Sequence, residues 1–193
     1  TLFRSFLNNG IPPVVCVGYQ HELVRGALDG LPVTYYYNPF FDVTNSIASL
    51  WFARQELDET VLVANADVFC SEATLHRLVS DDRDVVMLVD KTKVKTGDYF
   101  FATVDDCIRR HGKDLREDER DCEYVGIAKV QASIVYKFRA RMVELIEKGR
   151  NDLWWENILY SFIYERNVYT LDVEGEFWSE IDFLEDYHRI LEY

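Results

Sequence analysis

The chain has no run of about 18 consecutive apolar residues, the least that a membrane-spanning helix needs. It shows no leader of the charged-then-apolar type, so the expectation is a cytoplasmic protein with no membrane partner. Basic residues are scarce: 21 Lys and Arg stand against 34 Asp and Glu, a net charge of −13. No basic stripe is long enough to follow a phosphate backbone, which excludes nucleic acid as a partner. Acidity of this size also fits poorly with anionic lipid surfaces. Cysteine is sparse, and Cys16, Cys70, Cys107 and Cys122 form no CxxC pair. A chain with this many core-forming residues needs no disulfide staples, so four reduced thiols are expected. The histidines His21, His76, His111 and His188 show no metal-ligand spacing and read as surface or helix positions.

Core-forming residues are plentiful. Of 193 residues, 48% are hydrophobic and 15% aromatic, which excludes a disordered chain and suits one domain over residues 1–193. Leu2, Phe3, Phe6 and Leu7 share one face of a helix that Gly10 stops. A strand over Val14–Val17, a helix from about Gln20 to Leu28 and a strand over Val33–Tyr37 follow. Thr44 or Asn45 caps the next helix, which carries Ile47, Leu50 and Trp51. This alternation predicts a parallel sheet with helical crossovers.

The stretch Val61 to Phe69 organises the rest. Small and branched apolar residues run into Asp67, the pattern of a strand buried on both faces. Ligands of open α/β sheets sit at the carboxyl ends of strands, where Asp67 would fall; the alternative is a turn that leads to a helix capped by Ser71. A second buried strand ends on Asp90, followed by a basic island, Lys91, Lys93 and Lys95. Residues 111–121 read as a solvated loop. Gly126 inside a strand over Glu123–Val130 predicts close backbone approach. A helix over residues 133–148, an aromatic-rich helix from about residue 152 and a strand over Val168–Val173 follow. Phe177 and Trp178 lie in a last short strand. The closing helix, residues 181–193, is expected to turn Phe183, Leu184, Tyr187, Ile190 and Leu191 inward.

Four motifs in order resemble the sugar-phosphate and phosphocholine nucleotidyltransferases. Gly10-Ile11 with Val14–Val17 and Gly18-Tyr19 is similar to that family's "aGi..v.vV.Gy". Tyr37-Asn38-Pro39 with Thr44-Asn45-Ser46 and Ser49-Leu50 resembles "yNp.f..tN..sSL". Val63–Val68 stands where the family has its metal aspartate, and Trp178-Ser179-Glu180-Ile181-Asp182 with Glu185-Asp186 resembles "W.EIDt.eDl". The Tyr-Asn-Pro and Thr-Asn stretches, with Glu123–Ala128 and Trp155-Glu156, look closest to the phosphocholine cytidylyltransferase branch.

The resemblance implies an α/β, Rossmann-like three-layer nucleotidyltransferase fold with a mixed, mostly parallel sheet. It also implies that the family's first strand and its Gly-rich phosphate loop are lacking from this chain. The implied reaction moves a nucleotidyl group, cytidylyl first, from CTP or another nucleoside triphosphate to a small phosphorylated acceptor. Phosphocholine, a phosphonate or a sugar phosphate would serve, with pyrophosphate released. Charge neutralisation and positioning carry most of such a step. A Mg²⁺ ion wants few carboxylates, and the resemblance assigns it to Asp67 and Asp182, taken as converging and buried. An N-cap of the last helix is the alternative for Asp182. Glu180 would alternate with Asp182 and point the same way. Lys91 is the expected catalytic cation, with Lys93, Lys95 and Lys129 as further phosphate partners. Trp154, Trp155, Tyr36, Tyr37 and Trp178 could cage a quaternary ammonium opposed by Glu156 or Asp90. Asn45 and Ser49 would reach the nucleotide or the acceptor, or cap their helix. A nucleotide-binding or assembly domain without catalysis, and a metal-dependent glycosyltransferase, are the competing classes. Whether copies associate as a homo-oligomer stays open.

Overall fold

The structure, a computed structural model, describes residues 2–192 and their side chains from residue 3 onward. Thr1, the Leu2 side chain and Tyr193, counted above in the terminal helices, lie outside the described residues. The elements in the first half are α1 (Leu2–Asn8), β1 (Val14–Val17), α2 (His21–Ala27), β2 (Thr34–Tyr37), α3 (Ser46–Phe52), β3 (Val61–Ala64), β4 (Val68–Cys70) and α4 (Glu72–Ser80). Then come β5 (Val85–Asp90), β6 (Phe100–Val104), β7 (Cys107–Gly112), β8 (Cys122–Val130), α5 (Ala132–Glu147) and α6 (Glu156–Phe162). The last are β9 (Tyr169–Asp172), β10 (Trp178–Glu180) and α7 (Leu184–Glu192). Side-chain caps mark two helix starts: the Ser46 amide donates to Asn45 Oδ1, and the Thr74 amide to Ser71 Oγ. Each satisfies a donor that the first turn would otherwise orphan.

Every residue of β5 and of β8 is buried, as continuous apolar runs require when a strand is covered on both faces. Side chains alternate across the sheet. Val85, Met87 and Val89 join a core with Ile47, Phe138, Trp155 and Ile158, whereas Val86 and Leu88 join Leu75, Leu78 and Trp178. Helices α3, α5 and α6 therefore cover one face and α4 the other, the expected three layers.

The sheet is mixed, but the expectation that it is mostly parallel is corrected. Its order is β3-β8-β5-β9-β7-β6, and β8 also pairs with β6 at Phe100–Glu123 and Phe101–Cys122, which closes a ring of pairings. Only β5–β9 is parallel there; β8 runs against both β3 and β5. Strands β3, β5 and β9 do share a direction, but β8 intervenes because a hairpin, not a helical crossover, precedes it. That hairpin, β6–β7, turns through Asp105 and Asp106, both at positive φ (52° and 56°), the backbone that matches strand twist. The parallel pair β1–β2 forms a sheet of its own, and among the described residues no ladder joins it to β3.

Three local expectations also change. His111 and Gly112 belong to β7, and Leu115 is buried, so residues 111–121 are not simply a solvated loop. Buried Lys129 donates its ammonium to the Val79 and Asp81 carbonyls at the end of α4, so it serves the helix terminus rather than a phosphate. Helix α7 buries none of its residues: Phe183 ahead of it and Leu184 and Leu191 within it stay 71%, 67% and 64% exposed. It is held by polar contacts, with Arg189 donating to Ser179 Oγ at 2.7 Å and pairing with Asp186 at 2.7 Å.

Gly126 in β8 has φ +93°, and a Cβ built there would stand 2.6 Å from Val68 Cγ2 and 3.2 Å from Asn65 Nδ2. Gly126→Ala is expected to cost about 2–4 kcal/mol, combining left-handed strain with overpacking. Gly149→Ala, at φ +76° with nothing within 4 Å, should lose only the strain part, about 1–2 kcal/mol. Urea unfolding measures both, and equal losses would show that close approach is not what Gly126 provides.

Candidate functional site

Residues 65–67 form the turn between β3 and β4, laid across Gly126. The Asn65 amide donates to the Gly126 carbonyl at 2.9 Å. Asp67 thus lies in the turn ahead of β4 rather than ending the buried strand, and it is exposed. Strand β10 pairs antiparallel with β4 and sets Glu180 opposite Val68, and the Ile181 amide donates to the Asp67 carbonyl at 2.9 Å. That bond continues the β4–β10 pairing by one step and sets Asp67 and Asp182 in adjoining stretches of backbone that are distant in the chain. Both are exposed, which corrects the expectation of buried carboxylates. Asp182 does not cap α7 with its own side chain: the Asp182 and Phe183 amides both donate to Asp186 Oδ2. Among the described residues neither the Asp67 nor the Asp182 carboxylate has a hydrogen bond or ion pair.

Half-buried Glu180 and buried Glu156 lie near this pair. Burial first, then the charges of Asp67 and Asp182, push the Glu180 carboxyl up to about 7. Glu156, 4% exposed, is likewise pushed up to about 7 by burial, with Asp67 adding to it and a hydrogen bond from Asn65 opposing it. Trp155 is fixed next to it: its amide donates to Ser46 Oγ at 2.9 Å and its indole to Asn65 Oδ1 at 2.8 Å. On the other face of the sheet, Asp90 accepts from Trp178 Nε1 at 2.7 Å and from the Thr92 amide at 2.7 Å. Burial alone would raise its carboxyl, but these donors hold it below the usual range. Burial raises the Glu123 carboxyl, against the pull of the Asp98 amide, which donates to it at 2.8 Å.

The expected lysine is displaced. Lys91 Nζ lies 3.3 Å from Asp106 on the hairpin loop, whereas Lys93 Nζ sits 3.6 Å above the Trp178 ring, beside Asp90 and Glu123. Asn45 spends its side chain on the Ser46 amide, and Ser49 Oγ accepts from buried Asn38 at 3.0 Å, so both serve the start of α3. The aromatic cage is not assembled. Tyr36 bonds Glu56 and Gln55, Tyr37 packs on His21 at 4.7 Å and Trp154 is 59% exposed.

Sequence reasoning gave no role to Asn65, Glu123, Tyr124 or Tyr160. For Glu123 and Tyr124 the signal was an acid and a tyrosine in a strand whose other polar side chain is Lys129; Asn65 and Tyr160 carried none. Tyr124 Oη, Glu123 Oε2 and Glu156 Oε2 are buried with no hydrogen-bond partner, an unusual concentration of orphaned polar atoms. Two surface hollows of about 520 and 400 Å³ lie instead along α5, the first lined by Arg54, Arg139 and Glu147 and the second by Arg141 and Arg166.

No protein-family model and no curated protein matches the chain. Solved structures do. A CTP:phosphocholine cytidylyltransferase from Streptococcus pneumoniae superposes with TM-score 0.76 at 20% identity, over 99% of this chain and 82% of that one. An inositol-1-phosphate CTP transferase from T. maritima gives 0.75 at 17%, over 94% and 75%. A UDP-glucose pyrophosphorylase gives 0.72 at 9%, over 97% and 82%. The chain therefore has the fold of these nucleotidyltransferases.

The raised Glu156 carboxyl has a measurable consequence. The folded state holds its proton more tightly than the unfolded state, so stability is fully present below about pH 4.5 and is lost as pH rises through about 7. The loss is on the order of 3 kcal/mol. Glu156→Gln should remove that part of the decline between pH 4.5 and 8 in urea titrations. Parallel curves for the two proteins would mean that Glu156 is not perturbed.

Proposed function

We propose that this protein transfers a nucleotidyl group, cytidylyl in the first instance, from a nucleoside triphosphate to a small phosphorylated acceptor. The acceptor phosphate oxygen forms a bond to the α-phosphorus, the bond from that phosphorus to the bridging oxygen breaks, and pyrophosphate leaves with its electron pair. The observation that carries the reading is the junction of Asp67 and Asp182 through the Ile181–Asp67 backbone bond. It leaves two exposed carboxylates without partners beside a buried, water-poor group of acids and aromatics. Cytidine is favoured because two of the solved structures with this fold are cytidylyl-transferring enzymes by description.

Among the described residues no group of three or more His, Cys, Asp or Glu is set to enclose a metal. Mg²⁺ does not require one: it keeps several waters and takes one or two carboxylates together with substrate phosphates. Two exposed, hard oxygen ligands fit that demand, and Asp67 and Asp182 would hold the ion. When bound, it would neutralise phosphate charge that this acidic chain cannot offset with its own lysines. Lys93 is the cation nearest the buried acids, and the Trp178 ring beneath it and the neighbouring Asp90 keep it in place. Lys91 instead meets Asp106 on the hairpin loop, an exposed contact at 3.3 Å. No helix among the described residues is long and apolar enough to cross a membrane, and both substrates are small polar molecules.

Asp67→Asn and Asp182→Asn are each expected to lower Mg²⁺-dependent pyrophosphate release from CTP by about 100-fold or more, with the unfolding midpoint unchanged within a degree or two. Full activity in both variants would remove the metal assignment. CTP binding by a folded wild-type chain, without pyrophosphate release on any phosphorylated acceptor, would identify a binding domain without catalysis.

A further inference from the structure

The basic island after β5 is tied down residue by residue. Two of its three lysines pair at the surface, Lys91 with Asp106 at 3.3 Å and Lys95 with Glu117 at 3.5 Å. Lys93 turns inward instead. Half-buried, its ammonium rests 3.6 Å from the centre of the Trp178 ring, and among the described residues it makes no hydrogen bond or ion pair. A lysine ammonium carries three N–H donors, and this one holds them unspent in a chain of net charge −13. Trp178 and Glu180 alternate along β10 and so face the same way, about 7 Å apart along the strand. Lys93 therefore stands on the side of β10 that carries Glu180, whose carboxyl feels, after burial itself, the charges of Asp67, Asp182, Glu123 and Asp98.

A buried acid sets the loop that carries this lysine. The Thr96 and Gly97 amides donate to the Lys93 carbonyl at 3.2 and 2.9 Å, which folds Gly97 back behind Lys93. Glu123, 5% exposed, accepts from the Asp98 amide at 2.8 Å. Its carboxyl fills the space that a side chain at position 97 would take: a Cβ built on Gly97 would collide with Glu123 Cδ and stand 2.7 Å from Oε2. Burying this acid is costly. It lies directly across from Asp90 in the β5–β8 ladder, where like charges repel, and its Oε2 has no hydrogen-bond partner. An apolar residue at position 123 would avoid both costs but would leave the Asp98 amide and the Gly97 backbone without their anchor. We infer that Glu123 is a positioning residue: its carboxyl latches residues 93–98 so that Lys93 presents free N–H groups to the anionic oxygens of the nucleotide's pyrophosphate part. The inference rests on the nucleotidyl transfer proposed above. The latch works through shape and a hydrogen-bond acceptor, so an amide can replace the acid.

The test is a double-mutant cycle on the full chain: Lys93→Met, Glu123→Ala and the two together, with Glu123→Gln and Gly97→Ala beside them. Calorimetry reads CTP binding with Mg²⁺, pyrophosphate release is followed on phosphocholine and a hexose 1-phosphate, and tryptophan emission is recorded without ligand. Loss of a charged donor to phosphate predicts CTP binding weaker by about 10-fold or more in Lys93→Met. Glu123→Ala should weaken it comparably and the double variant no further, because the two residues act as one unit. Glu123→Gln should keep most of the affinity. Gly97→Ala should lose it, which decides the matter if Glu123→Ala does not fold. With the ammonium off the indole, Glu123→Ala and Gly97→Ala should share the emission of Lys93→Met, and Trp178→Phe should erase the difference. Additive losses, unchanged binding in Gly97→Ala, or Glu123→Gln as weak as Glu123→Ala overturn the latch, while release by the unmodified protein leaves the transfer intact. Coupled loss of CTP binding in a protein that releases no pyrophosphate keeps the latch and removes the transfer. Neither CTP binding nor release by the unmodified protein removes both.

Discussion

The passage of residues 65–67 over Gly126 is the constraint on which the rest depends. β8 lies between β3 and β5 with all nine residues buried, so another stretch of backbone can cross it closely only where a side chain is missing. Gly126 yields it, and the missing Cβ lets Asn65 and Val68 close on the strand. From that contact the geometry of the site follows in order. Asn65 takes the Trp155 indole and, with it, the start of α6 and Glu156. Val68 starts the short strand that recruits β10, and β10 brings Glu180, Ile181 and Asp182 to the turn.

The second feature is an electrostatic one. A chain of net charge −13 gathers several of its acids where water is scarce, and their carboxyls respond in opposite directions. Asp90, with donors from Trp178 and Thr92, stays an anion, while Glu156 and Glu180 are driven up to about 7 by burial and by neighbouring negative charge. Such a separation of similar groups by environment marks this cluster as a candidate site. Among the described residues the one buried cation, Lys129, is spent on the carbonyls that end α4 and does not compensate the acids on the Asp67 face. The deficit is met by a ligand's charge or by none.

Much of the architecture was legible in the chain. The apolar runs at β5 and β8, the caps at Asn45 and Ser71, and the glycine inside β8 each state a local physical requirement, and each is satisfied where it was expected. Strand direction was not legible. A helix between two strands signals a parallel crossover, but β8 enters from the β6–β7 hairpin and is inserted between β3 and β5 by pairing that no local pattern records. The amphipathic pattern of α7 likewise predicted burial, whereas the helix is tied to β10 by Arg189 donating to Ser179 and leaves Phe183, Leu184 and Leu191 in solvent.

The same division runs through the site. The sequence placed Asp67 after an apolar run and Asp182 at the start of the closing segment, and it was the resemblance of the short motifs around them to nucleotidyltransferases that made them the pair to consider. Only the tertiary structure decided that both are exposed, that Lys93 rather than Lys91 stands over Trp178, and that the proposed aromatic cage is dispersed. It also decided that Tyr124 and Glu156 keep buried oxygens without partners. The reason is that burial and hydrogen-bond satisfaction are properties of what packs around a residue. In this chain those neighbours come from β4, β8, α6 and β10, which lie far apart in sequence.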